Sequence, residues 1–229
     1  MKSKIIIILT LLLILLSSCS VSSEDSDSSI SKSDLYATLG TDVTANPENY
    51  TELQKDSAIG MAGTDINILS IGNSDGVLSL LVQNISDEDI EYVDITGTVD
   101  GYTAYFSLSV LPAGEKAYIT EKNNMKYSDE WKNAAWSASN AVYFDEPLDT
   151  LNDKLEIIFG DGVVTLKNIS DTDLTGTIYI CYKHTINGAL DGSASYRMKL
   201  DSVKVGETRE LYTDNATPNS KVIYVTVNA

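Results

Sequence analysis

The sequence predicts an all-β protein built as two small antiparallel β-sandwiches in tandem, and three observations lead there. Short segments alternate: Val93, Ile95, Gly97 and Val99 fall on one side of the chain, Asp94, Thr96, Thr98 and Asp100 on the other, as in a strand with one packed and one wet face. Turn signals recur throughout while helical periodicity is nearly absent. The chain also repeats itself, since Asn84-Ile85-Ser86-Asp87-Glu88-Asp89-Ile90 returns as Asn168-Ile169-Ser170-Asp171-Thr172-Asp173-Leu174, 84 positions later, which makes two copies of one unit the natural organisation.

The first segment, residues 1–18, is a targeting signal. Lys2 and Lys4 precede an apolar run from Ile5 to Leu16 that stops at Leu16-Ser17-Ser18-Cys19, too short to span a bilayer and ending in an aliphatic and two small residues before a cysteine. This resembles a bacterial lipoprotein signal peptide. The resemblance implies that the peptide is cut before Cys19, that Cys19 carries a diacylglyceryl group, and that the mature protein stays on the cell membrane, extracytoplasmic and anchored by fatty-acyl (palmitate) chains. A secretory signal with a chance cysteine is the competing reading, and Leu16 in the outer small position of its cleavage site argues against it. Two acyl chains at about 0.8 kcal/mol per buried CH₂ hold a protein stably where one does not.

Residues 19–63 follow as tether and lead-in. Ser20 to Ser33 is rich in Ser, Asp and Glu with almost nothing to bury, so it reads as a disordered tether, reaching roughly 20 Å by coil statistics. Asp34 to Gly63 has weak periodicity, and a short helix is expected near Glu48 to Lys55.

Repeat 1 spans 64–148 and repeat 2 spans 149–229. An aliphatic strand precedes each Asn-Ile-Ser-Asp motif, Val77 to Gln83 and Val163 to Lys167, and another follows, Glu91 to Asp100 and Thr175 to Lys183. Asp100-Gly101 suits a tight hairpin turn with positive φ. Leu111-Pro112-Ala113-Gly114-Glu115 then corresponds to Val203-Lys204-Val205-Gly206-Glu207, and the last strands are Ala141 to Phe144 and Val222 to Val227. Each copy carries a full strand set, so residues 150–229 are expected to fold alone. The units loosely resemble immunoglobulin-like and FxLYD-type modules of bacterial surface proteins. That likeness spans Thr64 to Ala229, lacks the tetrapeptide naming the second family, and implies a sandwich without implying one function.

The copies differ in two places. Repeat 2 is 8 residues longer around His184 to Gly192, and repeat 1 has 11 extra residues near Lys122 to Trp136. The second insertion gathers Tyr127 and both tryptophans, Trp131 and Trp136, with Ser128-Asp129-Glu130 placed to cap a short helix. Tyr127, Trp131 and Trp136 are therefore the candidate ligand-binding residues, a stacking platform for sugar rings or an anchor for a protein. The competing reading, which the usual burial of tryptophan favours, is that one or both indoles plug the open end of the sandwich.

Charge and chemistry bound the function. Without Lys2 and Lys4 the 16 basic residues fall to 14, against 33 acidic ones, a net charge of −19. With only Arg197 and Arg209 and no basic stripe, nucleic acid is not an expected partner. Cys181 is the one cysteine besides Cys19, so no intramolecular disulfide is available to the lipidated chain. Asp87, Glu88, Asp89, Asp171 and Asp173 sit at turns, either as calcium carboxylates or as plain turn residues; the EF-hand spacing is absent and no metal site is assigned. A single histidine, His184, and the lack of a nucleophile elbow or phosphate loop leave catalysis unsupported, and no cofactor is expected. The expected role is that of a non-catalytic binding or structural module of the bacterial envelope, partnered by the membrane and by an envelope protein or glycan. Carbohydrate binding through Trp131 and Trp136 is the alternative.

Overall fold

The computed structural model describes residues 50–52 and 58–228; the expected signal peptide, Cys19 and the acidic tether lie outside them. The fold is all-β, with several antiparallel sheets. The strands are β1 (Tyr50–Glu52), β2 (Ile59–Gly60), β3 (Ile66–Ser74), β4 (Val77–Asn84), β5 (Ile90–Val99), β6 (Tyr102–Leu111), β7 (Lys116–Thr120), β8 (Ala135–Tyr143), β9 (Leu155–Phe159), β10 (Val163–Asn168), β11 (Thr177–Ile186), β12 (Ala189–Asp191), β13 (Tyr196–Leu200), β14 (Thr208–Tyr212) and β15 (Ser220–Asn228), with a 3-10 helix at Asp129–Asn133. No helix among the described residues is long and apolar enough to cross a membrane.

The expected helix near Glu48 to Lys55 is not formed at its centre. Tyr50–Glu52 is a strand, paired antiparallel with Ser70 to Gly72 of β3. A Tyr-Thr pair suits a pleated surface, and the edge of β3 offers unpaired backbone groups that a short helix would leave unused.

In the first copy β4 lies between β3 and β7, while β5 lies between β6 and β8. The second copy repeats the pattern: β10 lies between β9 and β14, and β11 between β13 and β15. One hydrophobic cluster draws on both sheets of the first copy, including Ile68, Leu80, Val82, Ile95, Phe106 and Ile119. A second draws on Leu155, Val164, Leu166, Ile178, Ile180, Met198 and Val225. Val93, Ile95 and Gly97 are buried as their alternation predicts.

Three hairpins close with two residues in the left-handed region. They are Asp75-Gly76 (φ 50° and 83°), the anticipated Asp100-Gly101 (49° and 81°) and Asn187-Gly188 (48° and 82°), the backbone of a turn whose twist matches the flanking strands.

The extra residues of the second copy become the end of β11, the Asn187-Gly188 turn and β12, and this hairpin reaches the first copy. Leu190 and Asp191 pair in parallel with Ala117 and Tyr118 of β7. Gly192 donates its N–H to the Tyr118 carbonyl at 2.7 Å, and a Cβ there would lie 2.5 Å from Ile119 and 2.6 Å from that carbonyl, so only glycine permits the approach. Leu190 and Ile223 are buried in the first cluster. Ile223 gets there because β15 slips register between its partners Cys181 and Tyr182, a bulge that redirects one side chain. A Lys221–Glu115 ion pair at 2.8 Å joins the copies further.

Candidate functional site

The three residues singled out from the sequence do not form an exposed platform. Trp131 is 3% and Trp136 9% exposed, and both belong to the first cluster. Their centroids are 6.4 Å apart, with Phe106 6.0 Å from Trp136. The cause is Gly97, which pairs with Trp136 across β5 and β8. A Cβ on Gly97 would stand 2.5 Å from the indole, so the missing side chain is the space the ring occupies. Tyr127 is half-buried: its hydroxyl donates to Asp129 Oδ1 at 2.9 Å, which also accepts from Lys132 at 2.7 Å. Burial, and then the bond to Asp129, raise the Tyr127 pKa. Ser128 takes the N-cap position of the 3-10 helix but makes no side-chain capping bond.

The insertion is tied down by Glu121, 2% exposed. Its carboxylate accepts the Asn123 and Met125 N–H groups at 2.7 and 2.8 Å and the Tyr105 N–H at 3.1 Å. A buried carboxylate surrounded by backbone donors holds a loop in place, and no oxygen is left for a substrate.

The repeated motif is a clamp, built identically twice. Asn84 Nδ2 donates to the carbonyls of Glu88 at 2.8 Å and Leu111 at 3.1 Å, and its Oδ1 accepts from Ser86 N at 3.0 Å and Ser86 Oγ at 2.7 Å. Asn168 donates to Thr172 and Val203 at 2.9 and 3.0 Å and accepts from Ser170 N and Oγ at 3.0 and 2.7 Å. Asp89 and Asp173 each accept a backbone N–H of the distant turn, Ala113 and Val205, at 2.8 Å. These acids are engaged in binding the strand-to-strand turn to the Gly-Glu turn. Among the described residues no group of three or more His, Cys, Asp or Glu side chains could hold a metal ion. Asn84 and Asn168 are both fully buried, so their side-chain amides face inward. His184 sits near the end of β11, its Nε2 2.7 Å from the Asn215 carbonyl and its ring 4.7 Å from Tyr196.

What remains open to solvent with organised chemistry is the outer face of the β6-β5-β8 sheet, the wet side of the strand alternation. Across it Thr96 stands opposite Tyr105 on one side and Ser137 on the other, and Asp94 opposite Ser107 and Ser139. Tyr105 is 47% exposed. Asp94 lies at the centre: Oδ1 accepts the Tyr92 hydroxyl at 2.5 Å, Oδ2 accepts Asn140 Nδ2 at 3.0 Å, and Lys122 Nζ lies 3.5 Å away. Partial burial alone would raise the Asp94 pKa; the Tyr92 and Asn140 hydrogen bonds and the Lys122 ammonium outweigh it and hold it below the ordinary value. Thr96 and Ser137 hydroxyls are linked at 2.8 Å. The sequence marked Asp94 and Thr96 as solvent-facing but gave no sign of Lys122 and Asn140 converging, because those come from the loop after β7 and from β8.

No protein family, curated protein or solved structure matches the chain.

Proposed function

We propose that the protein is a lipoprotein of the bacterial envelope, held on the extracytoplasmic face by diacylglyceryl-Cys19, whose two repeats are tandem immunoglobulin-like sandwiches acting by binding rather than catalysis. The Leu16-Ser17-Ser18-Cys19 sequence behind a short apolar run supports the anchor. The observation that carries the non-catalytic reading is how the carboxylates are used. Glu121 and Asp89 hold backbone N–H groups. Asp173 does the same through Val205, and Asp191 accepts from Ser193 N and Oγ. Acids locked in this way serve shape, whereas general acid–base work needs a carboxyl free to meet substrate.

The test of the anchor is Cys19→Ser in the producing cell. It should abolish metabolic labelling with a fatty-acid probe and move the protein out of the membrane fraction or stall its processing. Unchanged labelling and unchanged membrane fractionation would overturn the lipoprotein reading.

A further inference from the structure

We propose that the outer face of the β6-β5-β8 sheet binds a neutral polysaccharide, with Tyr105 as the stacking ring and the Asp94–Asn140–Lys122 group as the polar contact that sets the sugar's orientation. This rests on the envelope-binding reading above and replaces the tryptophan insertion as the place where binding occurs.

Three observations carry it. Tyr105, 47% exposed, has Thr96 opposite it on β5 and Ser107 two residues along its own strand, short side chains that leave the phenol accessible for stacking on a pyranose ring. The Asp94 carboxylate is fixed by Tyr92 and Asn140, so its acceptor sites are oriented before any ligand arrives and little entropy is lost on binding. Charge selects among polymers. The mature chain carries net −19 once Lys2 and Lys4 are gone, which repels polyanions. Lys122 beside Asp94 leaves this face locally balanced, suited to uncharged hydroxyls that both donate and accept. A protein partner would want an apolar core to desolvate, and the outward residues opposite Asp94 and Thr96 supply hydroxyls instead.

The experiment uses the full chain purified from membranes in detergent, with dextran, xylan and a mixed-linkage β-glucan as neutral probes and polygalacturonate as an anionic one, binding read by affinity electrophoresis. At least one neutral polymer should retard the protein while polygalacturonate does not. Tyr105→Ala and Asp94→Ala should each weaken that retardation tenfold or more with the thermal transition of Tyr105→Ala unmoved. Tyr212→Ala, altering a 78% exposed tyrosine of β14, should leave it unchanged. Retardation by polygalacturonate alone, by no polymer, or undiminished in Tyr105→Ala would overturn the proposal. Each of those results leaves the lipid labelling of Cys19 unaffected, so the two readings fail separately.

Discussion

Lys183 offers the sharpest check on the physics of the joined repeats. It lies on β11 with no exposed surface. Its ammonium donates to the carbonyls of Ala194 at 3.2 Å and, less closely, Asp191 at 3.5 Å. Burial lowers its pKa from 10.5 to about 8, opposed in part by the charge of Asp191. A depressed lysine pKa means that between about pH 8 and 10.5 the native state binds fewer protons than the unfolded chain, so this group's contribution to stability rises with pH across that window and is lost as pH falls through it. At one pKa unit per 1.36 kcal/mol, the full swing is about 3 kcal/mol, of which about 2 kcal/mol falls between pH 7 and pH 10.

The perturbation is Lys183→Met, which keeps the length of the stem and removes the titration. The assay is urea unfolding of both chains at pH 7, 8, 9 and 10. Tyr127, Tyr182 and Tyr212, whose pKa values are raised, lose stabilising effect as pH rises, but they are common to both chains and cancel in the difference. The stability of the native chain relative to Lys183→Met should therefore shift by about 2 kcal/mol in favour of the native chain from pH 7 to pH 10. Parallel curves, with a gap constant to within about 0.5 kcal/mol, would refute the reasoning, because a lysine with an ordinary pKa gives no differential titration over that range.

Asn84→Ala and Asn168→Ala should each cost about 2 to 4 kcal/mol in chemical denaturation, since each strands one buried carbonyl, one partly buried carbonyl and a serine; a near-neutral effect at either site would mean the clamp does not hold the turns. Gly97→Ala should cost about 1 to 3 kcal/mol by overpacking the indole of Trp136, and the loss should shrink in a Trp136→Leu background, a coupling that a double-mutant cycle in thermal melts reads directly. Residues 150–229 expressed alone should melt cooperatively, with Leu190 and Ile223 left outside the second cluster. Ile223→Ala should then destabilise the full chain by about 2 to 4 kcal/mol while leaving the fragment nearly unchanged, and equal losses in both would show that Ile223 packs within its own copy.

Local chemistry was legible in the sequence and tertiary placement was not. The face of β5 follows from alternation alone, and the Asp100-Gly101 turn from the residues that tolerate positive φ. The repeated Asn-Ile-Ser-Asp motif could be read as a turn; that Asn84 and Asn168 reach carbonyls 27 and 35 residues away depends on where β6 and β13 end. The insertion could be located but its depth could not, since an indole can form a wet platform even though it more often fills a dry core. One signal was available: a glycine in the middle of a strand marks a close approach, and Gly97 sits among Val93, Ile95 and Val99 with Trp136 filling its gap. Tyr50–Glu52 pairs with β3 rather than forming a helix turn because the partner edge, absent from any local window, decides its state. Lys183 ends an apolar strand in the sequence, and its burial arises from the Asp191 to Ala194 backbone folding over it.

The two insertions play different parts: one enlarges a core and the other joins the copies. In the first copy the extra residues carry Trp131 into that copy's own cluster and so enlarge its core. In the second copy the extra residues stay paired with β11 and also bring β12 against β7, so that one sheet runs on through β7, β12 and β11 and backbone groups of the first copy that would otherwise be open to another chain are occupied. A single added strand thus closes an edge and fixes the joint. Relative movement would break the β7–β12 pairing, withdraw Leu190 and Ile223 from the first cluster and part the Lys221–Glu115 pair, so the joint resists bending. The outer face of β5, β6 and β8 lies on the copy that receives this brace. Rigidity there is what a surface with a pre-fixed carboxylate needs, because Asp94 can orient a ligand only while β5, β8 and the loop bearing Lys122 hold their register.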